Sequence, residues 1–232
     1  MTKLAGPKTI PEQIADACGV MILDGRFTAG QRMIEQQIAE QFGVSRGPVR
    51  EAFRLLQKRR LLDITPRKGA YVLPISLASI ADLFDVRIAL ACLAVRTMCE
   101  REVDAASMDK LRQRVDDLIR IANDSRADHG AFGLGMTRAV HAVSRASGNQ
   151  LVVQLMSELN DQTLWTTIWA KPLDYATKPA RKLRAEQFES IFRDIEKRDG
   201  ATAENKLRAM LEESRDGALA ILSETKRYLV AE

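Results

Sequence analysis

The stretch Gly43-Val44-Ser45-Arg46-Gly47-Pro48-Val49-Arg50-Glu51-Ala52-Phe53 joins a tight turn, a helix start and two forward-pointing guanidinium groups. A helix lying in a major groove turns its first residues toward base edges, and a planar guanidinium there can donate two hydrogen bonds to guanine O6 and N7. Arg46 and Arg50 stand one helical turn apart and suit that role. Ser45, which can cap the helix, and the free N–H groups that follow it suit a phosphate, because they offer donors and a partial positive charge. Further along, Arg67-Lys68-Gly69 reads as a basic hairpin tip, with Gly69 allowing close backbone approach to a duplex. The predicted DNA-contacting set is Ser45, Arg46, Gly47, Arg50, Arg54, Arg67, Lys68 and Gly69. Lys58, Arg59 and Arg60, and Arg54 with them, also read as plain surface charge.

Bond-making chemistry finds no such support. It needs a positioned acid, base or nucleophile, and the chain has no Gly-rich phosphate loop, no His-carboxylate spacing and no Ser or Cys with a candidate base nearby. The two histidines are His129, which reads as a loop residue, and His141, which reads as an ordinary hydrogen-bonded histidine. Cys18, Cys92 and Cys99 are odd in number and fall within helical patterns, so buried thiols are favoured over a disulfide framework. No catalytic residue, cofactor or metal ligand is predicted.

The elements that must position the basic residues can be read from periodicity. Thr9-Ile10-Pro11-Glu12 has capping-box spacing, and Ile14, Ala17, Cys18, Met21 and Ile22 then recur at helical steps. A short helix from about Ile34 carries Ile38 and Phe42 and ends at Gly43. The next buries Val49, Ala52, Phe53 and Leu56, while Arg46, Arg50, Arg54 and Lys58 form another stripe. Leu61–Thr65 and Ala70–Leu73 read as strands joined by Pro66-Arg67-Lys68-Gly69. From Ser76 on the pattern is helical throughout, with six helices expected at about 76–101, 105–123, 131–147, 150–170, 178–198 and 201–229. Long helices on short loops predict an all-α bundle.

Charge divides along the same line. Residues 1–74 hold 12 Lys/Arg against 7 Asp/Glu, a balance of +5, and the remainder holds 23 against 24, a balance of −1. A basic module on a near-neutral body fits a nucleic-acid reader attached to a second domain. With 46% apolar and 28% charged residues, 13 Gly and 7 Pro, the 232-residue chain is neither collagenous nor wholly disordered. It has no apolar run near the roughly 20 residues that cross a bilayer, and no apolar signal core at its start, so a soluble, cytoplasmic protein is expected.

The N-terminal residues resemble the winged helix-turn-helix of the GntR family of bacterial transcription regulators. The likeness runs from Gly25-Arg26 and Gly30 through Ile38-Ala39 and Phe42 to Ala52, then to Leu56 and Arg67-Lys68-Gly69-Ala70-Tyr71-Val72. Gly47 stands where many members carry Thr, and Gln36 where some carry a DNA-contacting Arg. The helical remainder resembles the FadR-type (FCD) domain of that family, in its shorter VanR-like branch, through Arg87-Ile88-Ala89-Leu90, Ala146-Ser147-Gly148-Asn149 and the run from Ile191 to Ile195 with Asp199. The resemblance implies a mainly α protein with a winged helix-turn-helix at 1–74, three helices and a β-hairpin, followed at 75–232 by a six-to-seven-helix bundle that dimerises and binds an effector. It also implies a homodimer on a near-palindromic duplex, with repression the expected sign.

Many domains of this kind hold a divalent metal through one Asp and three His. Projected by spacing, those positions here fall on Met136, Val140, Phe188 and Met210, none of which binds a hard or borderline cation. An apolar hollow lined by these four is expected in its place, with Arg87 as anchor for an apolar or aromatic-bodied organic acid. The same four positions also read as repacked core, which would make the chain a constitutive DNA-binding dimer. Trp165 and Trp169, four residues apart, read as core or interface.

Overall fold

The structure is a computed structural model that describes residues 9–23, 25–74, 76–127, 129–160 and 175–224. Among the described residues the chain is mainly helical, with nine helices and one small sheet, and it divides at Ser76/Leu77 into two compact units.

The first unit contains α1 (Ile10–Leu23), β1 (Arg32–Met33), α2 (Glu35–Phe42), α3 (Arg46–Lys58), β2 (Leu62–Thr65) and β3 (Gly69–Val72). The capping box at the start of α1 is formed: the Thr9 N–H donates to Glu12 Oε2 at 2.7 Å, and the Glu12 N–H donates to Thr9 Oγ1 at 3.4 Å. Its buried stripe is Ile14, Ala15, Cys18 and Ile22, so the helix is turned slightly from the expected face and Ala17 and Met21 lie at the margin. That stripe packs against α3. There Val49, Ala52, Phe53 and Leu56 are buried as their spacing predicts. Each large apolar side chain so buried contributes roughly 1.5–3 kcal/mol, and this core fixes the outward direction of the opposite face. Between α2 and α3, Gly43 takes φ +65° and its N–H donates to helix carbonyls, which ends α2.

The strands differ from the expected hairpin in three ways. β2 and β3 begin at Leu62 and Gly69 and end at Thr65 and Val72, so Leu61 and Leu73 fall outside them and Gly69 lies within β3. A third strand, β1, pairs antiparallel with β3 through Arg32 opposite Tyr71 and Met33 opposite Ala70, giving the order β1-β3-β2. Two residues are too few to show alternation, which is why periodicity misses this strand.

The second unit contains α4 (Leu77–Glu100), α5 (Ala105–Asn123), α6 (His129–Ala146), α7 (Gln150–Asn160), α8 (Lys178–Glu196) and α9 (Gly200–Glu224). His129 is thus the first residue of α6 and not a loop residue. Side-chain caps start four of these helices: Asp104 accepts from the Ser107 N–H, Asn149 from Val152, Thr177 from Ala180 and Asp199 from Thr202, at 2.9–3.3 Å. The helices pack as a bundle in which α4 lies against α9 and α6, and α5 against α6 and α8. The second half of the helix expected at 150–170, with Trp165 and Trp169, lies outside the described residues.

Candidate nucleic-acid interface and helical cavity

On the first unit an open groove of about 640 Å³ runs between α3 and the β2–β3 hairpin. Arg46, Arg50 and Arg54 line it from α3, Arg67 and Gly69 from the hairpin, and Arg32 from β1. Five of the eight predicted contact residues therefore share one concave surface. Ser45 and Gly47 stand exposed at the start of α3 and Lys68 at the hairpin tip. Ser45 occupies the N-cap position with extended backbone, but its side chain makes no cap hydrogen bond, contrary to expectation. The start of α3 therefore lacks the side-chain acceptor that an N-cap usually supplies to its N–H groups.

The hairpin tip is built to display cations. The Lys68 N–H donates to Thr65 O at 3.1 Å, and the Tyr71 hydroxyl donates to Lys68 O at 3.2 Å. Pro66 sets the second turn position, and Arg67 in the third has φ +65°, a conformation that favours glycine. Gly69 has φ +113°, and the Arg32 side chain lies against it so closely that a Cβ would sit 2.9 Å from Nε.

Glu35, the first residue of α2, was not among the predicted residues, yet it organises the groove. Its Oε2 accepts from Arg46 Nη2 at 3.0 Å and Arg50 Nη2 at 2.9 Å, and its Oε1 from Arg50 Nε at 3.1 Å. The hydrogen bond from Arg50 leads in holding its carboxyl below the usual carboxylate range, with the bond from Arg46 adding to it. Arg59 is a structural residue: its Nη1 meets Asp16 Oδ1 at 2.7 Å and ties α3 to α1.

In the helical unit Phe84, Arg87 and Ile88 of α4, Met136, Thr137 and Val140 of α6, Tyr175, and Leu211 and Ser214 of α9 surround a cavity of about 30 Å³. That is room for two or three waters at most, at roughly 10–15 Å³ each. The predicted lining is corrected in part. Arg87, Met136 and Val140 line this cavity, whereas Phe188 and Met210 are buried in the bundle and are not among the residues around it. Thr137, Tyr175 and Ser214 add polar atoms that no motif announced. Arg87 is 5% exposed, and burial pulls its guanidinium pKa down to about 9. Tyr175 packs its ring on Phe132 at 5.2 Å.

A metal does not fit here. Met136, Val140, Phe188 and Met210 supply no donor for a hard or borderline ion, and among the described residues no three His, Cys, Asp or Glu side chains are grouped to hold one. His141 Nε2 lies 3.0 Å from Ser157 Oγ, linking α6 to α7.

Residues 11–72 match the family described as bacterial regulatory proteins, gntR family, and residues 82–213 match the FCD domain. The chain is 25% identical over 224 residues to an uncharacterised HTH-type transcriptional regulator, YdhC, of Bacillus subtilis, covering 97% of each chain. It is 26% identical over 242 residues to the HTH-type transcriptional repressor RspR of Escherichia coli, covering 100% of this chain and 98% of that one. Its fold is similar to the solved structure of Lar, reported to control expression of the Listeria monocytogenes agr system, with a TM-score of 0.72 at 16% identity over 93% of this chain and 99% of the other. A second similar fold is that of a putative GntR regulator from Rhodococcus sp. RHA1, with a TM-score of 0.61 at 21% identity, over 90% and 97%.

Proposed function

The chain belongs to the gntR family of bacterial regulatory proteins, in the form that carries an FCD domain, and from that premise we propose a homodimeric repressor whose α3 reads a near-palindromic duplex under the control of a small organic anion. It is a transcriptional regulator and not an enzyme. Its family binds DNA, and FCD domains bind small-molecule effectors. The observation that carries the proposal is the groove of five arginines beside the uncapped start of α3. Arg46 and Arg50 are the base readers, Arg54 lies one turn further along the same stripe, and Ser45, Gly47, Arg67, Lys68 and Gly69 follow the backbone. The repressor sign is supported by the name of the Escherichia coli relative. Pairing of copies is supported by Leu151 and Leu155, one turn apart on α7, and Val86 on α4, all exposed and apolar. Such a regulator acts in the cytoplasm. Among the described residues no helix is long and apolar enough to cross a membrane.

The effector reading rests on Arg87, a cation held in an apolar wall with Thr137, Tyr175 and Ser214 around it. A ligand that offers a carboxylate to Arg87 and an apolar or aromatic body to Phe84, Met136 and Val140 would satisfy both halves of that wall. The size of the cavity, about 30 Å³, favours a second reading in which it is packed shut and the dimer binds DNA constitutively. A thermal-shift screen of aromatic and aliphatic acids separates the two: a compound that raises Tm and changes duplex affinity supports the sensor, and silence across the screen supports the closed form.

The DNA assignment is tested by alanine substitution against duplexes selected from a random pool. Arg46→Ala and Arg50→Ala should each cost about 1–3 kcal/mol on the selected duplex and relax preference at particular base pairs, while Lys68→Ala weakens all duplexes alike. Equal losses on selected and random DNA for all three would contradict the roles given.

A further inference from the structure

The carboxylate at the head of the groove is out of place on electrostatic grounds. A surface meant for phosphates gains from every cation and loses from every anion, yet Glu35 spends its charge on the two arginines best placed to enter a major groove. Its side chain is about one quarter exposed, against 58% and 55% for Arg46 and Arg50, so the carboxylate is more covered than the guanidinium groups it holds.

The atoms used decide what that arrangement can do. A guanidinium has two edges that can donate in pairs, Nε with Nη2 and Nη1 with Nη2. Glu35 takes the Nε–Nη2 edge of Arg50 through both of its oxygens. The Nη1–Nη2 edge is left for a second planar acceptor, and guanine O6 and N7 form such an acceptor. Arg46 is tied by a single bond from Nη2 to the same carboxylate, so two side chains on successive turns of α3 are referred to one point on α2. Long side chains lose rotamer freedom on being fixed. A buttress removes part of that loss before DNA arrives, and it does so for one orientation only.

We propose that Glu35 is a specificity-determining positioning residue, which holds Arg46 and Arg50 for base reading and keeps them from neutralising phosphates on any sequence. The proposal rests on the assignment of α3 as the reading helix. It accounts for an acid in a basic groove: Glu35 lowers affinity for all DNA and lowers it least where a base pair matches the held guanidinium.

The test uses the full chain and a random-sequence duplex pool, carried through binding and sequencing for wild type, Arg50→Ala, Glu35→Gln and Glu35→Ala. Affinities for the most enriched duplex and for its shuffled counterpart are then measured at several salt concentrations, below the melting temperature of each variant. Glu35→Gln should lower the ratio of enriched to shuffled affinity by roughly tenfold, lose sequence information at the base pairs that Arg50→Ala also loses, bind shuffled duplex at least as well as wild type, and steepen the salt slope by about one. Glu35→Ala should do the same. If wild type enriches a motif and Arg50→Ala erases part of it while both Glu35 variants keep it whole, the proposal fails and the reading helix stands. Equal weakening on both duplexes makes Glu35 a folding residue and overturns it as well. If wild type enriches nothing, or Arg50→Ala leaves the motif intact, the reading helix itself is wrong.

Discussion

Arg46 and Arg50 keep more than half of their side-chain surface in water, and a single carboxylate meets both charges; in the helical unit Arg87 is 5% exposed and burial pulls its pKa down to about 9. The first environment keeps the charge in contact with water and available to a partner. The second makes the charge expensive, because the folded state must hold a cation in an apolar wall. Exposed arginines add little to stability and much to binding. A buried one has to be held by the fold itself. The helical unit also holds Arg184, whose Nη1 meets Glu213 Oε2 at 2.5 Å within the same chain.

The largest effect expected from this contrast is at Arg87. Arg87→Met keeps most of the volume and removes the charge, so it should abolish any shift in melting temperature caused by organic acids, read in the same thermal-shift screen. The pH dependence has a definite sign. Below about 9 both folded and unfolded chains carry the proton and the full penalty applies; between about 9 and the ordinary guanidinium value the unfolded chain binds the proton more tightly, so stability rises with pH. Cys18 and Cys92, whose thiols burial pushes up to about 11, act in the opposite sense. The useful quantity is therefore the Tm of the variant minus that of wild type, which should fall as pH rises above 9. A difference independent of pH would show that burial does not lower the Arg87 pKa.

Smaller, and on the exposed side of the comparison, is Arg67. Its φ of +65° costs a non-glycine residue roughly 1–2 kcal/mol, so Arg67→Gly should leave stability unchanged or raise it by up to about 1 kcal/mol while weakening DNA binding on every sequence. A stability loss in chemical denaturation would mean that the Arg67 side chain holds the hairpin together.

How much of this was legible in the chain follows the same divide. α3 could be read because its apolar stripe and its arginine stripe both repeat at helical spacing, so Arg46, Arg50 and Arg54 were found with their direction. Glu35 could not: it contacts residues 11 and 15 positions away, and as a lone acid at a helix start it looks like a favourable dipole partner and nothing more. In the bundle, positions projected from the run Ala146-Ser147-Gly148-Asn149 put Met136 and Val140 on the cavity wall, and Arg87, taken from the FCD-like run Arg87-Ile88-Ala89-Leu90, lines it too. Phe188 and Met210 were misplaced relative to the cavity, since a step of one residue along a helix turns a side chain by about 100°, and Leu211 lines the cavity where Met210 was expected. Tyr175 and Ser214 come from separate elements joined only by packing, and no local pattern marks such a meeting.

The smallest effect expected lies at Gly47, in the first turn of α3. A Cβ built there meets nothing nearer than Ser45 Oγ at 4.0 Å, so the space for a side chain is open and glycine is not required by packing. Gly47→Ala should stabilise the N-terminal unit by up to about 1 kcal/mol, through the helix propensity gained and the unfolded freedom lost. Whether it also changes binding separates two roles for this turn. If the backbone at the start of α3 approaches a phosphate, even a methyl group should weaken every duplex by a similar small factor and leave the preferred sequence unchanged. A changed preference would instead place position 47 against a base edge, in line with Arg46 and Arg50, and would widen the reading surface by one residue.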